Sequence, residues 1–110
     1  MIDNLSEREL LDKSLLEIDE HLFYNAHETL ESIWFARRFE KNNEILLIKG
    51  LINATVSLEL LKRGREEASK KAWKVYLKYR PLLYKTTSPH LNKFHEIARH
   101  LEKIKNKNRL

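Results

Sequence analysis

The chain contains no cysteine. Disulfides, thiolate metal ligands and cysteine nucleophiles are therefore excluded together, and this usage fits a reducing compartment. Glycine and proline are scarce, two of each in 110 residues, which leaves too few turn residues for a many-stranded sheet. No apolar run approaches the roughly 18 residues that a membrane span needs. The opening stretch, MIDNLSERELLDK, is acidic and amphipathic, without the basic and then apolar regions of a secretory signal. Glycine-rich phosphate loops and Gly-x-Ser-x-Gly elbows are missing too, so conventional nucleotide-binding and nucleophilic-hydrolase classes have no support. The expectation is a soluble, cytoplasmic protein with no membrane partner.

What is present points to helices. A content of 42% hydrophobic and 34% charged residues excludes a disordered chain. The length suits one core, so residues 1–110 are expected to form a single helical domain. Start signals, stop signals and periodicity place helices at about 6–18, 22–38, 44–63, 65–79 and 89–105. Ser6 and Glu9 form a capping box, and Asp19-Glu20-His21 reads as the turn that closes the first helix. On the second, Phe23, Ala26, His27, Leu30, Ile33 and Trp34 share one arc. The third is apolar nearly all round, so it is central or lies in an oligomer interface. Gly50 and Ala54, one turn apart on it, leave room for another backbone, and Gly64 suits the left-handed position after its end. Pro81 stops the fourth helix, whose inward residues are Ala68, Ala72, Val75, Tyr76 and Tyr79. Ser88 and Pro89 are placed at the N-cap and first position of the fifth, and the tail after Lys105 is expected to fray. The fold class is all-α: a compact bundle of about five helices around a central apolar third helix.

Charge is unevenly distributed. Residues 1–31 hold nine acidic side chains against Arg8 and Lys13, whereas residues 62–110 hold fifteen basic ones against four acids. Acidic and basic helices that face each other explain this, as does a basic face for an anionic partner. Lys70, Lys71, Lys74 and Lys78 form a basic stripe on the fourth helix, with Lys62, Arg63 and Arg65 before it and Trp73 and Tyr76 interleaved. That arrangement suits either a solvated face or a nucleic-acid partner.

The chemistry-bearing segment is Phe23 to Trp34. His27 and Glu31 are four apart and meet on one helical face. A histidine and a carboxylate so spaced can share a divalent metal, with Glu28 acting as base on a bound water. A zincin helix would carry a second His where Glu31 stands, and a third ligand must come from elsewhere. The other reading is a buried His27–Glu31 hydrogen bond within a helical core. Lys49 and Asn53, one turn apart on the apolar third helix, need partners or solvent. Glu28, Glu31 and His27 can supply partners if the second and third helices form an antiparallel hairpin; otherwise Lys49 extends its stem to water. His90, His95 and His100 are spaced by five and cannot form one ligand row.

The segment Phe23-Tyr24-x-Ala26-His27-Glu28-x-x-Glu31-x-x-Trp34, followed by Gly50-Leu51-Ile52-x-Ala54 and Arg63-Gly64, resembles the prokaryotic domain-of-unknown-function 309 family over about residues 15 to 80. Asn25, Lys49 and Arg65 stand where that pattern has Glu, Gln and Asn. The resemblance implies an all-helical fold and a polar pocket at His27, Glu28 and Glu31, and some members carry the label of metal-dependent hydrolase. Asn25 and Lys49 make a cation site less inviting in this chain. The expected function is therefore a structural or ligand-binding module with a polar cluster of Tyr24, His27, Glu28, Glu31, Trp34, Lys49 and Asn53. The alternatives are a metal-dependent hydrolase on the His27/Glu28/Glu31 helix and a nucleic-acid binder through the fourth. A homodimer is expected, because so short a chain has few helices to cover the third, and Tyr24 and Phe35 add a second apolar face.

Overall fold

The computed structural model describes residues 5–107. Its helices are α1 (Glu7–Asp19), α2 (Phe23–Ala36), α3 (Asn43–Lys62), α4 (Glu66–Tyr79) and α5 (Leu91–Lys107), with a 3-10 segment, Arg80–Tyr84, after α4. No strand occurs among the described residues. The radius of gyration, 13.0 Å, is that of a fully packed chain of this size.

Local chemistry sets the ends. Ser6 Oγ accepts from the Glu9 amide at 3.1 Å, and Glu9 returns a carboxylate to the Ser6 amide at 2.9 Å, forming the expected capping box. Asn42 caps α3 through the Ile45 amide at 3.0 Å. α1 and α3 stop by the same device: Leu22 N–H reaches Glu17 O and His21 N–H reaches Ile18 O, as Arg65 reaches Leu60 and Gly64 reaches Leu61. The residue at the left-handed position is Gly64 in one case and His21 in the other, with φ of 78° and 60°. Pro81 has no N–H to continue the α-helical ladder, and the chain tightens into the 3-10 segment that the sequence reading missed.

α5 begins at Leu91, two residues after the expected start at Pro89. Ser88 does accept from the His90 amide, but its own hydroxyl is donated to Glu44, and Leu91 N–H closes a turn on the Ser88 carbonyl. The helix then runs past Lys105 to Lys107; the rest of the tail, Asn108 to Leu110, lies outside the described residues.

α3 occupies the centre. Its buried residues, including Ile45, Leu47, Ile48, Leu51, Ala54 and Leu58, point in several directions, and it packs on α2, α4, α5 and the 3-10 segment. The closest approach is to α4. A Cβ on Gly50 would lie 2.9 Å from the Tyr79 Cβ, and two turns on, Ser57 and Ser69 exchange hydroxyl–carbonyl hydrogen bonds of 2.8 Å each way. The seam is thus lined by small residues, as Gly50 and Ala54 suggested. α5 closes the core with Phe94, Ile97, Ala98 and Leu101, all buried.

Lys93 pins α5 to α1, with Nζ 2.9 Å from both Asp12 Oδ1 and Glu96 Oε1. The ammonium holds both carboxyls below their ordinary values of 3.8 and 4.5, while Asp12 first and then Glu96 push Lys93 above 10.5. A carboxyl whose value is lowered by folding stabilises the fold above its ordinary value and ceases to as pH falls through the lowered one. Lys93→Met is therefore expected to reduce Tm at neutral pH, with the deficit shrinking as pH drops below 3.8. A deficit that stayed constant down to about pH 2 would contradict this coupling.

Candidate functional site

α2 and α3 run antiparallel. Lys62 near the end of α3 donates to the His21 carbonyl just before α2, whereas Arg37 after α2 pairs with Glu44 at the start of α3 at 2.7 Å. This hairpin brings the two parts of the sequence signature side by side.

On α2, His27 Nε2 lies 3.3 Å from Glu31 Oε2, and the Tyr24 ring stands edge-on to His27 with centroids 6.0 Å apart. The pair is not buried as the hydrogen-bonded reading expected: the two side chains are 24% and 53% exposed. Trp34 packs half-buried against the core. Glu28 is exposed, and among the described residues its carboxylate has neither hydrogen bond nor ion pair.

On α3, the Asn53 amide donates to the Lys49 carbonyl at 2.9 Å, a bond within the helix. The ammonium of Lys49 meets none of Glu28, Glu31 and His27 and is exposed, the solvent-reaching alternative. On the helical wheel Lys49 lies about 100° from Gly50, which faces α4, and its side chain is exposed. Tyr24, His27, Glu31 and Trp34 thus line one side of the hairpin's outer face, and Lys49 and Asn53 lie on the neighbouring helix.

Among the described residues no group of three His, Cys, Asp or Glu side chains comes together. His27 and Glu31 are two donors, one short of the three that a catalytic zinc site uses. Of the remaining histidines, His21 stacks on Phe23, His95 stands edge-on to Tyr84 and His100 Nδ1 lies 2.6 Å from Asp19, whereas the buried His90 Nδ1 has no hydrogen-bond partner among the described residues.

Three polar clusters escaped sequence reasoning. In the first, the Thr29 hydroxyl donates to Glu17 at 2.7 Å, and Lys13 reaches Glu17 at 2.6 Å and Thr29 at 3.2 Å; Glu17 and Thr29 are both buried. A signal existed, since Glu17 lies seven residues after Leu10 and therefore on the apolar stripe of α1. In the second, Arg37 binds Glu7, Glu40 and Glu44, which ties α1, α2 and α3 at one end of the bundle. Hydrogen bonding to Glu40 is the largest influence raising its already high value, and Glu40 in turn is lowered. In the third, buried Tyr76 donates to Glu102, which also accepts from Arg80. Burial first, and then this carboxylate, push the phenol far above 10.0.

This architecture defines a class: an all-helical bundle with a His-Glu signature on one hairpin. The family model for a domain of unknown function (DUF309) matches residues 11–72, more than half of the chain, and the protein belongs to that family. No curated protein and no solved structure matches it.

Proposed function

We propose that the protein is a cytoplasmic binding or scaffold module, a single helical domain that works as a homodimer through the outer face of α2 and α3. The observation that carries this reading is the exposure of large apolar side chains around the family signature. Tyr24 is 51%, Phe35 58% and Leu46 39% exposed, beside half-buried Trp34. Aromatic anchors of this kind are typical of interface centres. The occupant is a second copy, because the face is complementary to itself in charge. Glu28 and Glu31 lie on α2 and Lys49 on α3, and a two-fold axis sets each helix against the other helix of its partner. Lys49, without an ion-pair partner among the described residues of one protomer, then meets the partner's carboxylates. His27 buttresses the Tyr24 ring, giving the signature a positioning role. The cytoplasmic assignment rests on the missing cysteines and on the finding that no described helix is long and apolar enough to cross a membrane.

Sedimentation equilibrium tests this. The expected species at about 50 µM has twice the 13.2 kDa chain mass, and Tyr24→Ala with Phe35→Ala weakens association by roughly a hundredfold. A single 13.2 kDa species at every concentration overturns the reading.

A further inference from the structure

A second surface, on the other side of α3, is independent of the dimer face. It is a trough between α4 and α5 with Trp73 at its floor. One hollow, of about 360 Å³, is walled by Trp73, Leu77, Lys70 and Lys74 on α4 and by Lys105 on α5. The next, of about 320 Å³, shares Trp73, Leu77 and Lys105 and continues to Asn106. A third, of about 700 Å³, joins it at Glu102 and Asn106 and runs along α5 past Lys103 and Lys107. The first two form the trough between α4 and α5, and every described residue lining the third is on α5.

The walls carry one sign of charge. Four basic side chains line the trough, Lys70, Lys71 and Lys74 on α4 and Lys105 on α5, and Arg99, Lys103 and Lys107 line the adjoining hollow on α5, against two carboxylates, Glu67 and Glu102. Both carboxylates are engaged: Glu102 by Arg80 and Tyr76, and Glu67 by Lys70 at 3.6 Å. Among the described residues, Lys71, Lys74, Lys103 and Lys105 have no carboxylate within ion-pair distance. Lys105 Nζ instead sits 5.4 Å from the centre of the Trp73 ring. Sequence reasoning had placed the basic stripe on α4 alone and interleaved Tyr76 with it; the structure adds the lysines of α5 and removes Tyr76, which is wholly buried.

We infer that this trough binds a single-stranded nucleic acid, with the lysines tracking phosphates and a base stacking on Trp73. Two features select this occupant among polyanions. The aromatic ring lies in a concavity, which an unstacked base can enter and a flat bilayer cannot. Lys70, Lys71 and Lys74 stand on α4 and Lys105 on α5, so a flexible strand laid between them is neutralised from both sides, as in grooves that follow a single strand. A duplex, with its bases stacked inside, would leave the ring untouched.

The full-length protein is titrated with oligo-dT and oligo-U of about twelve residues, a length within the range that such grooves cover. Tryptophan emission and fluorescence anisotropy are read at about 20 mM and at about 200 mM salt. Binding at low salt with quenched emission is expected, with log K falling against log salt by about 0.7 for each phosphate neutralised. Trp73→Phe should abolish the quenching, and Lys71→Glu with Lys74→Glu, both exposed, should weaken binding at least tenfold while leaving the circular dichroism unchanged. Duplex of the same length and anionic phosphatidylserine vesicles are the comparison arms. No binding at low salt, binding without quenching, equal affinity in the lysine variant, or preference for duplex or vesicles each overturns the inference.

Discussion

Gly50→Val is expected to destabilise the protein by about 3 kcal/mol, because overpacking a tight helix seam forces a backbone to move. The first added atom already lies 2.9 Å from the Tyr79 Cβ. A Cβ is fixed by its backbone, so no rotamer change relieves the contact, and α4 itself must shift. Gly50→Ala makes the sharper test. Helix propensity alone favours alanine by about 1 kcal/mol, so a net loss of stability shows that the steric effect wins. Tyr79→Ala should not rescue the variant, since the obstructing atom remains, whereas Tyr79→Gly should. The measurement is urea denaturation of these four variants and the parent, and an alanine variant more stable than the parent would sink the argument.

Glu102→Ala is expected to cost about 2–3 kcal/mol, the penalty of a buried donor left without its acceptor. The Tyr76 phenol is fully buried and has Glu102 as its acceptor, while Arg80 is partly exposed and can turn to water. Tyr76→Phe should cost less, about 1 kcal/mol, because Glu102 keeps Arg80. Combining the two should cost less than the sum of the singles, since the orphaned hydroxyl is then gone as well. Additive losses in thermal or chemical denaturation would mean that the three side chains do not act as one network.

The fold was legible wherever a signal was local. A capping box, an apolar stripe at helical spacing, a glycine after a helix end and a proline at a stop each act within a turn or two of chain. Those signals placed all five helices, picked out α3 as the central one and marked Gly50 for close approach. The errors arose where distant partners decide. Ser88 was expected to start α5; its hydroxyl does accept from the His90 amide, and it also donates to Glu44, a partner 44 residues away that no local signal marks. Glu17, Thr29 and Glu102 lie 12 and 26 residues from the side chains that hold them, so each passed for an ordinary solvated or boundary residue. Of the pairings expected in the candidate site, one is present and one is not. His27 and Glu31 share a helix and meet as spacing requires, whereas the expected partners of Lys49 lie across a helix interface. There the rotation of each helix about its axis decides contact, and Lys49 is left exposed.

The helix that seals the core is also the last of the five to be synthesised. Phe94, Ile97 and Leu101 complete the burial of an interior begun by Leu11 and Ile18 of α1 some eighty residues earlier, and Lys93 and His100 fasten the two helices together. On the ribosome, α1 to α4 emerge with that groove empty, since a helix pair cannot be closed by residues still in the exit tunnel. The nascent chain therefore carries an uncovered apolar strip until α5 has left the tunnel, and the core closes only then.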